Sequence, residues 1–196
     1  RNTFVVDGCC GTATSATLFH LMTNRYARVI GVDRDKPESW VRHHIPERFR
    51  NRFVFVSEDM ASVTPAVVDR VMRAEWGVGL ECLSHFHDSH PCTTLSRADR
   101  SGQHRHPDGR PKSDTAILDD AVLEATVRNV EAILRTSPNC LVTIENPFGP
   151  WFADLPVVRR LRADPRWHLM IGSYCKLAGL LDGGRSWPQK HTYVLA

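Results

Sequence analysis

A cysteine behind a proline, Pro91-Cys92, and an acid ahead of another, Glu145-Asn146-Pro147, are the residues best equipped for chemistry. A thiolate is a strong nucleophile when cationic groups surround it. His85, His87, His90 and Arg97 all stand near Cys92 in sequence. Pro91 restricts the backbone of His90 and stiffens the turn, which fixes the direction of the thiol. Glu145 follows the run Leu141-Val142-Thr143-Ile144, so it ends a strand and can donate or share a proton with a ring nitrogen. The bland readings are an inert buried thiol and an acid bonded to backbone amides; the shared location at strand ends favours the chemical one.

A third feature is the glycine turn Asp7-Gly8-Cys9-Cys10-Gly11, which closes Thr3-Phe4-Val5-Val6. Small residues there let a ligand approach the backbone, and the following helix offers free N–H groups. Alone, such a turn is an ordinary tight turn. Two further strand ends change its meaning. Asp33 follows Arg28-Val29-Ile30-Gly31-Val32, where a carboxylate takes both ribose hydroxyls of an adenosyl cofactor, with Arg34 beside it. Asp59 follows Phe53-Val54-Phe55-Val56, where it can accept from an adenine amino group, with Met60 beside the ring. Asp33 and Asp35 also precede a helix, so an N-cap is the alternative for Asp33. A phosphate-bearing dinucleotide would use a fuller GxGxxG turn, and the adenosyl sulfonium fits better.

The elements that must position these residues alternate. Strands are expected near residues 3–6, 28–32, 53–56, 78–86 and 141–144, with helices over 14–24, 35–45, 63–74, 116–135 and 151–163. Two last strands, near 168–174 and 191–195, have no helical spacer and so pair antiparallel. The fold class is therefore α/β. It is a single Rossmann-like domain over residues 1–196 with a mostly parallel seven-stranded sheet and one reversed strand. Residues 97–114, rich in Arg, His, Asp, Gly and Pro, read as a long mobile loop. Glycine turn, thiol and acid then share the carboxyl edge of the sheet, where open α/β sheets bind ligands.

Composition narrows the class. The chain has 196 residues with a formal net charge of +3, compatible with nucleic acid without requiring it. No apolar run is long enough to span a membrane, and no membrane partner is expected. The six cysteines are scattered, with no CxxC pair, so they read as reduced thiols of an intracellular protein. His85 and His87 share one face of a strand, which is ligand-like geometry, but their partners would have to come from elsewhere; no metal site is expected.

The pairing of Pro91-Cys92, with Ser96 beyond it, and Glu145-Asn146-Pro147, in this order after Asp7-Gly8-Cys9-Cys10-Gly11, resembles the cytosine carbon-5 DNA methyltransferases over nearly the whole chain. Tyr174-Cys175 and Lys190-His191-Thr192 look like the compact virus- or phage-type members. The resemblance implies the class I methyltransferase fold, S-adenosyl-L-methionine as cofactor, and DNA with a flipped-out cytosine as partner. It implies catalysis by Cys92 and Glu145, a cofactor site of Asp7, Gly8, Cys9, Gly11, Asp33, Arg34, Asp59, Met60 and Pro91, and a catalytic loop over 97–114. Arg97, Arg100, Arg105, Arg110, Lys112 and Lys190 would meet phosphates. The chain departs from the family in three ways. His90 stands where proline is usual. Gln189 is not followed by the family's alternating arginines. No target-recognition domain follows, which implies low specificity, a further C-terminal part or a separate recognition subunit. The other readings are a methyltransferase acting on RNA or a small molecule, which would not need Cys92 paired with Glu145, and an inactive member that binds nucleic acid.

Overall fold

The structure is a computed structural model that describes residues 2–11, 16–95, 102–147, 149, 151–173 and 191–196. The principal elements among the described residues are β1 (Thr3–Gly8), α1 (Ala16–Thr23), β2 (Ala27–Val32), α2 (Glu38–His44), β3 (Phe53–Val56), α3 (Pro65–Trp76), β4 (Leu83–Ser89), α4 (Asp114–Thr136), β5 (Leu141–Pro147), α5 (Pro156–Ala163), β6 (Leu169–Ser173) and β7 (His191–Leu195). The strands form one seven-stranded sheet in the order β3-β2-β1-β4-β5-β7-β6. β1 is parallel to β2 and β4, and β2 to β3, whereas β7 runs antiparallel to both β5 and β6. This is the mostly parallel α/β sheet with one reversed strand that the element order predicts. The strand order turns back between β1 and β4, the switch point at which doubly wound sheets take ligands.

Two compact units are distinguishable, Arg1–Ser89 with Ala121–Thr143, and His90–Asp120 with Ile144–Ala196. In the first, Val5, Leu21, Val29, Val41, Ile45, Phe49, Phe53 and Phe55 close over one face of β1 and β2. Its helix boundaries follow local chemistry. α3 starts where the Thr64 hydroxyl accepts from Val67 N and Pro65 takes the first position, and it stops at Gly77 in the left-handed region, φ 67°. In the second, the α5 side chains Val157, Val158 and Leu161 are buried together with Phe152.

Two expectations need correction. The fourth strand begins at Leu83, not near residue 78, and continues through Ser89. The segment ahead of it is a short 3-10 turn, Leu80–Cys82, tied down by the Leu80 N–H to Asp69 Oδ1 at 2.8 Å and by the Ser137 hydroxyl to Leu80 O. The strand exit therefore delivers His90-Pro91-Cys92 directly. Residues 102–113, read from composition as part of a mobile loop, are folded as a tight hairpin. Arg105 bridges Pro111, His106 N donates to Arg110 O at 2.9 Å, and Gly109 turns the chain with φ 85°.

Candidate functional site

The glycine turn lies at the end of β1, and Gly8 is in register with Asp88 of β4. Asp7 is fully buried. Its Oδ2 accepts from both the backbone N–H and the hydroxyl of Thr17, so it ties the turn to α1. Its Oδ1 has no hydrogen-bond partner among the described residues, and burial pushes its carboxyl up to about 6 against the Thr17 bonds that hold it down. Asp7 thus acts as a brace beneath the turn. Gly8 is closely packed: a Cβ there would lie 2.5 Å from Met60 Cε and 3.1 Å from Asp88 Oδ1. Met60 is correspondingly buried, its thioether filling the space the glycine leaves.

Cys9 has φ 51°, a left-handed conformation that a non-glycine residue rarely adopts. Burial, and then the Asp88 carboxylate beside it, raise its thiol well above the ordinary range. Burial does the same to Cys10, and pushes Cys140 up to about 12. These three thiols are held protonated and are poor nucleophiles.

Asp33 is a local brace at the end of β2. Its Oδ2 accepts from Gly11 N at 2.9 Å and its Oδ1 from Asp35 N at 2.8 Å. The carboxylate is half-buried, and each oxygen keeps lone-pair capacity for a hydroxyl. Gly11, at φ 55°, has open space where a Cβ would stand, so the backbone here is accessible. Asp59 accepts from Ala61 N at 2.8 Å and pairs with Arg34 at 2.6 Å. Arg34 also meets Asp35 at 3.1 Å, so this arginine joins the second and third strand ends instead of standing free.

The proposed chemical groups lie in the second unit. Cys92 is half-buried and opens a turn closed by Leu95 N on Cys92 O at 3.0 Å. That turn is anchored by Thr94, whose hydroxyl donates to Asp119 Oδ2 at 2.7 Å and whose carbonyl accepts from Arg105 Nε at 2.9 Å. Glu145 is buried near the end of β5, paired across the ladder with Val194. Its neighbour Asn146 is fully buried and donates from Nδ2 to the carbonyl of His90 at 3.2 Å. This bond fastens the Glu145 end of β5 to the residues that lead into Cys92.

Arg105 is a correction to the phosphate-contact set. Its side chain is 0% exposed and forms an ion pair with Asp120 at 2.5 Å, while also donating to Thr94 O and Gly109 O. A guanidinium so enclosed cannot reach a phosphate; it bolts the hairpin to α4. Arg97, Arg100 and Lys190 lie outside the described residues, as do Ser96 and Tyr174-Cys175.

Sequence reasoning missed Asp88, and also the way Thr143 and His20 join His85 and His87 in one polar row. His85 Nε2 and His87 Nδ1 share the Thr143 hydroxyl at 2.8 and 2.7 Å, and His20 reaches His85 at 3.1 Å. Burial first, then the neighbouring imidazoles, lower both His85 and His87 to about 4, so they are neutral at pH 7. Among the described residues no group of three or more His, Cys, Asp or Glu side chains is arranged to hold a metal ion, and no helix is long and apolar enough to cross a membrane. Strand alternation was the available signal for Asp88, since it shares parity with Phe86 and faces away from the histidines.

No family model matches the chain, and no curated protein matches it in sequence. Solved structures do match in fold. The human methyltransferase 10 domain containing protein superposes with a TM-score of 0.56 at 7% identity, covering 100% of this chain and 72% of that one. The hMettl16 catalytic domain in complex with the MAT2A 3′UTR hairpin 6 gives a TM-score of 0.53 at 11% identity, and this chain spans 64% of its length. A putative ribosomal RNA methyltransferase from Plasmodium falciparum gives 0.51 at 12% identity, covering 100% of this chain and 86% of that one. The chain therefore has the Rossmann-like fold of class I methyltransferases.

Proposed function

We propose that this chain is an S-adenosylmethionine-dependent methyltransferase that acts on carbon 5 of a flipped-out cytosine in DNA through a covalent Cys92 adduct. The observation that carries this reading is the Asn146–His90 hydrogen bond, which ties the strand end bearing Glu145 to the His90-Pro91-Cys92 segment. A thiol and a carboxylic acid so linked suit covalent addition to a pyrimidine and are superfluous for transfer to a free amine.

The residues at the first three strand ends suit the cofactor. Asp33 is half-buried with spare acceptor capacity beside the open backbone of Gly11, which fits ribose hydroxyls. Asp59 stands one strand further, placed for an adenine edge, with Arg34 holding its second oxygen. Gly8 and Cys9 belong to the same turn, and Asp7 supports it from below.

Chemically, the Cys92 thiolate adds to carbon 6 of cytosine while Glu145 gives a proton to ring N3, leaving carbon 5 electron-rich. When bound, S-adenosylmethionine supplies an electrophilic methyl group to such a carbon. With the donor released as the neutral thioether, a base then takes the carbon-5 proton, the C–S bond breaks to return the Cys92 thiolate, and N3 gives its proton back to Glu145 as the ring regains aromaticity. Pro91 stiffens the backbone that aims the sulfur.

The test is trapping with DNA containing 5-fluorocytosine and the cofactor. The fluorine cannot leave as a cation, so the adduct persists and appears as a mass shift of the protein. Wild-type protein is expected to give the adduct and Cys92→Ser to give none while still binding cofactor. Cofactor binding with no adduct in any DNA context would overturn the covalent DNA reading.

A second reading keeps the fold and changes the acceptor to an RNA base or a small molecule. It is favoured by the fold likeness to hMettl16, whose structure holds an RNA hairpin. Labelled methyl transfer to RNA that survives Cys92→Ser would select it. Transfer to no acceptor at all would select a binding or regulatory role.

A further inference from the structure

The second unit carries a cleft that the chemistry above leaves unused. It has a volume of about 270 Å³ and is walled by the hairpin tip, Asp108 to Pro111, by Trp151, and by Asp154 and Arg159 at the start of α5, with Asp120 at its floor. Its two walls belong to the connections that follow β4 and β5. Asp120 is paired with the buried Arg105, which also holds the hairpin by Gly109 O at 3.0 Å. Gly109 packs so closely on Trp151 that a Cβ there would lie 3.0 Å from the indole, which fixes the ring at the cleft wall.

The rim is different. Arg110 is 76% exposed and, among the described residues, pairs through its Nε with Asp108 at 2.7 Å. Arg159 is 66% exposed and uses one terminal nitrogen on Asp154, at 3.2 Å. Arg162 folds back along α5 to Ala153 O at 3.3 Å, which brings a third guanidinium to the same turn. Exposed ion pairs of this kind hold weakly in water. Each arginine retains donors in the planar fork that matches phosphate oxygens. Three cations stand against two exposed carboxylates, with an aromatic ring between them.

We infer that this cleft grips the DNA strand beside the target cytosine, with flanking phosphates on Arg110 and Arg159 and a neighbouring base stacked on Trp151. Aromatic ring plus arginine is the sequence-tolerant mode by which single strands are held. The inference rests on the DNA substrate proposed above and assigns that substrate a grip within the catalytic chain itself.

The experiment measures anisotropy of a fluorescein-labelled single-stranded DNA, 20 nucleotides long, against the whole chain at several salt concentrations. The double variant Arg110→Ala/Arg159→Ala is expected to bind about tenfold more weakly and to lower the log–log salt slope by about 1.4, roughly 0.7 per lost phosphate contact. Arg110→Lys/Arg159→Lys is expected to recover most of the slope, because it keeps the charge. Both side chains are exposed, so folding is unaffected. An unchanged affinity and slope in the alanine variant would overturn the grip. So would equal losses in the lysine and alanine variants without a change of slope. Wild-type DNA binding that depends on both arginines, with no 5-fluorocytosine adduct, would leave the grip standing and sink the chemistry instead.

Discussion

Asn146 Nδ2 donates to the carbonyl oxygen of His90 at 3.2 Å, across 56 residues of sequence. One side-chain amide thereby sets the spacing between the backbone that carries a carboxylic acid and the backbone that carries a thiol. Asn146→Ala removes this donor from a fully buried site and leaves a carbonyl bond unmade. Loss of stability by about 1–3 kcal/mol is expected. The adduct yield with 5-fluorocytosine DNA should fall far more than cofactor affinity, which titration calorimetry would find within twofold of wild type.

Arg105 is expected to matter for folding and not for DNA affinity. Its guanidinium serves Asp120, Thr94 O and Gly109 O from a fully buried position. Arg105→Ala removes the donor to Thr94 O and Gly109 O and leaves the part-exposed Asp120 without its cation, and should cost about 1–3 kcal/mol in urea denaturation. A variant of unchanged stability whose DNA salt slope drops instead would place Arg105 on a phosphate.

Asp7 should leave a mark on the pH dependence of stability. Burial raises its carboxyl from the ordinary 3.8 to about 6 in the folded chain. The folded state therefore binds the proton more tightly, and stability from this group is present at low pH and lost as pH rises from about 4 to 6. The loss is on the order of 3 kcal/mol. His85 and His87 act oppositely in the same window: at about 4 when folded, they favour the folded state as pH climbs. Asp7→Asn removes the first contribution only. Denaturation midpoints of this variant should rise more steeply between pH 4 and 6.5 than those of wild type; parallel curves would refute the assignment.

Gly8→Ala tests the floor of the glycine turn. The new methyl would meet the Met60 thioether, which can swing away, and the Asp88 carboxylate, which sits in a strand. Equilibrium binding should show cofactor affinity reduced at least tenfold, with only a modest fall in melting temperature. The double variant with Met60→Ala should recover part of the affinity. No loss of binding in Gly8→Ala would separate this turn from the cofactor.

Much of the framework was legible along the chain because its signals are local. Apolar runs ending in acid or glycine marked β1, β2, β3 and β5, and the missing helix before β7 foretold the reversed strand. A strand buried on both faces needs only its own side chains to declare itself. Pro91-Cys92 and Glu145 were visible for the same reason, as chemically distinctive residues at strand ends. The start of β4 differs because Val78 and Leu80 look like strand residues, while Asp69 and Ser137 hold Leu80 in a turn.

What tertiary structure alone decided is which charges are spent inside the chain and which remain for a ligand. Arg105 and Arg110 sit in one polar segment with identical side chains, yet one is enclosed by Asp120 and Thr94 and the other stands in solvent. Cys9 and Cys92 both follow turn-forming residues, and burial beside Asp88 holds the first protonated. A residue's type is written in the sequence; the dielectric around it and the partner facing it come from segments tens of residues away, so only the folded chain could sort them.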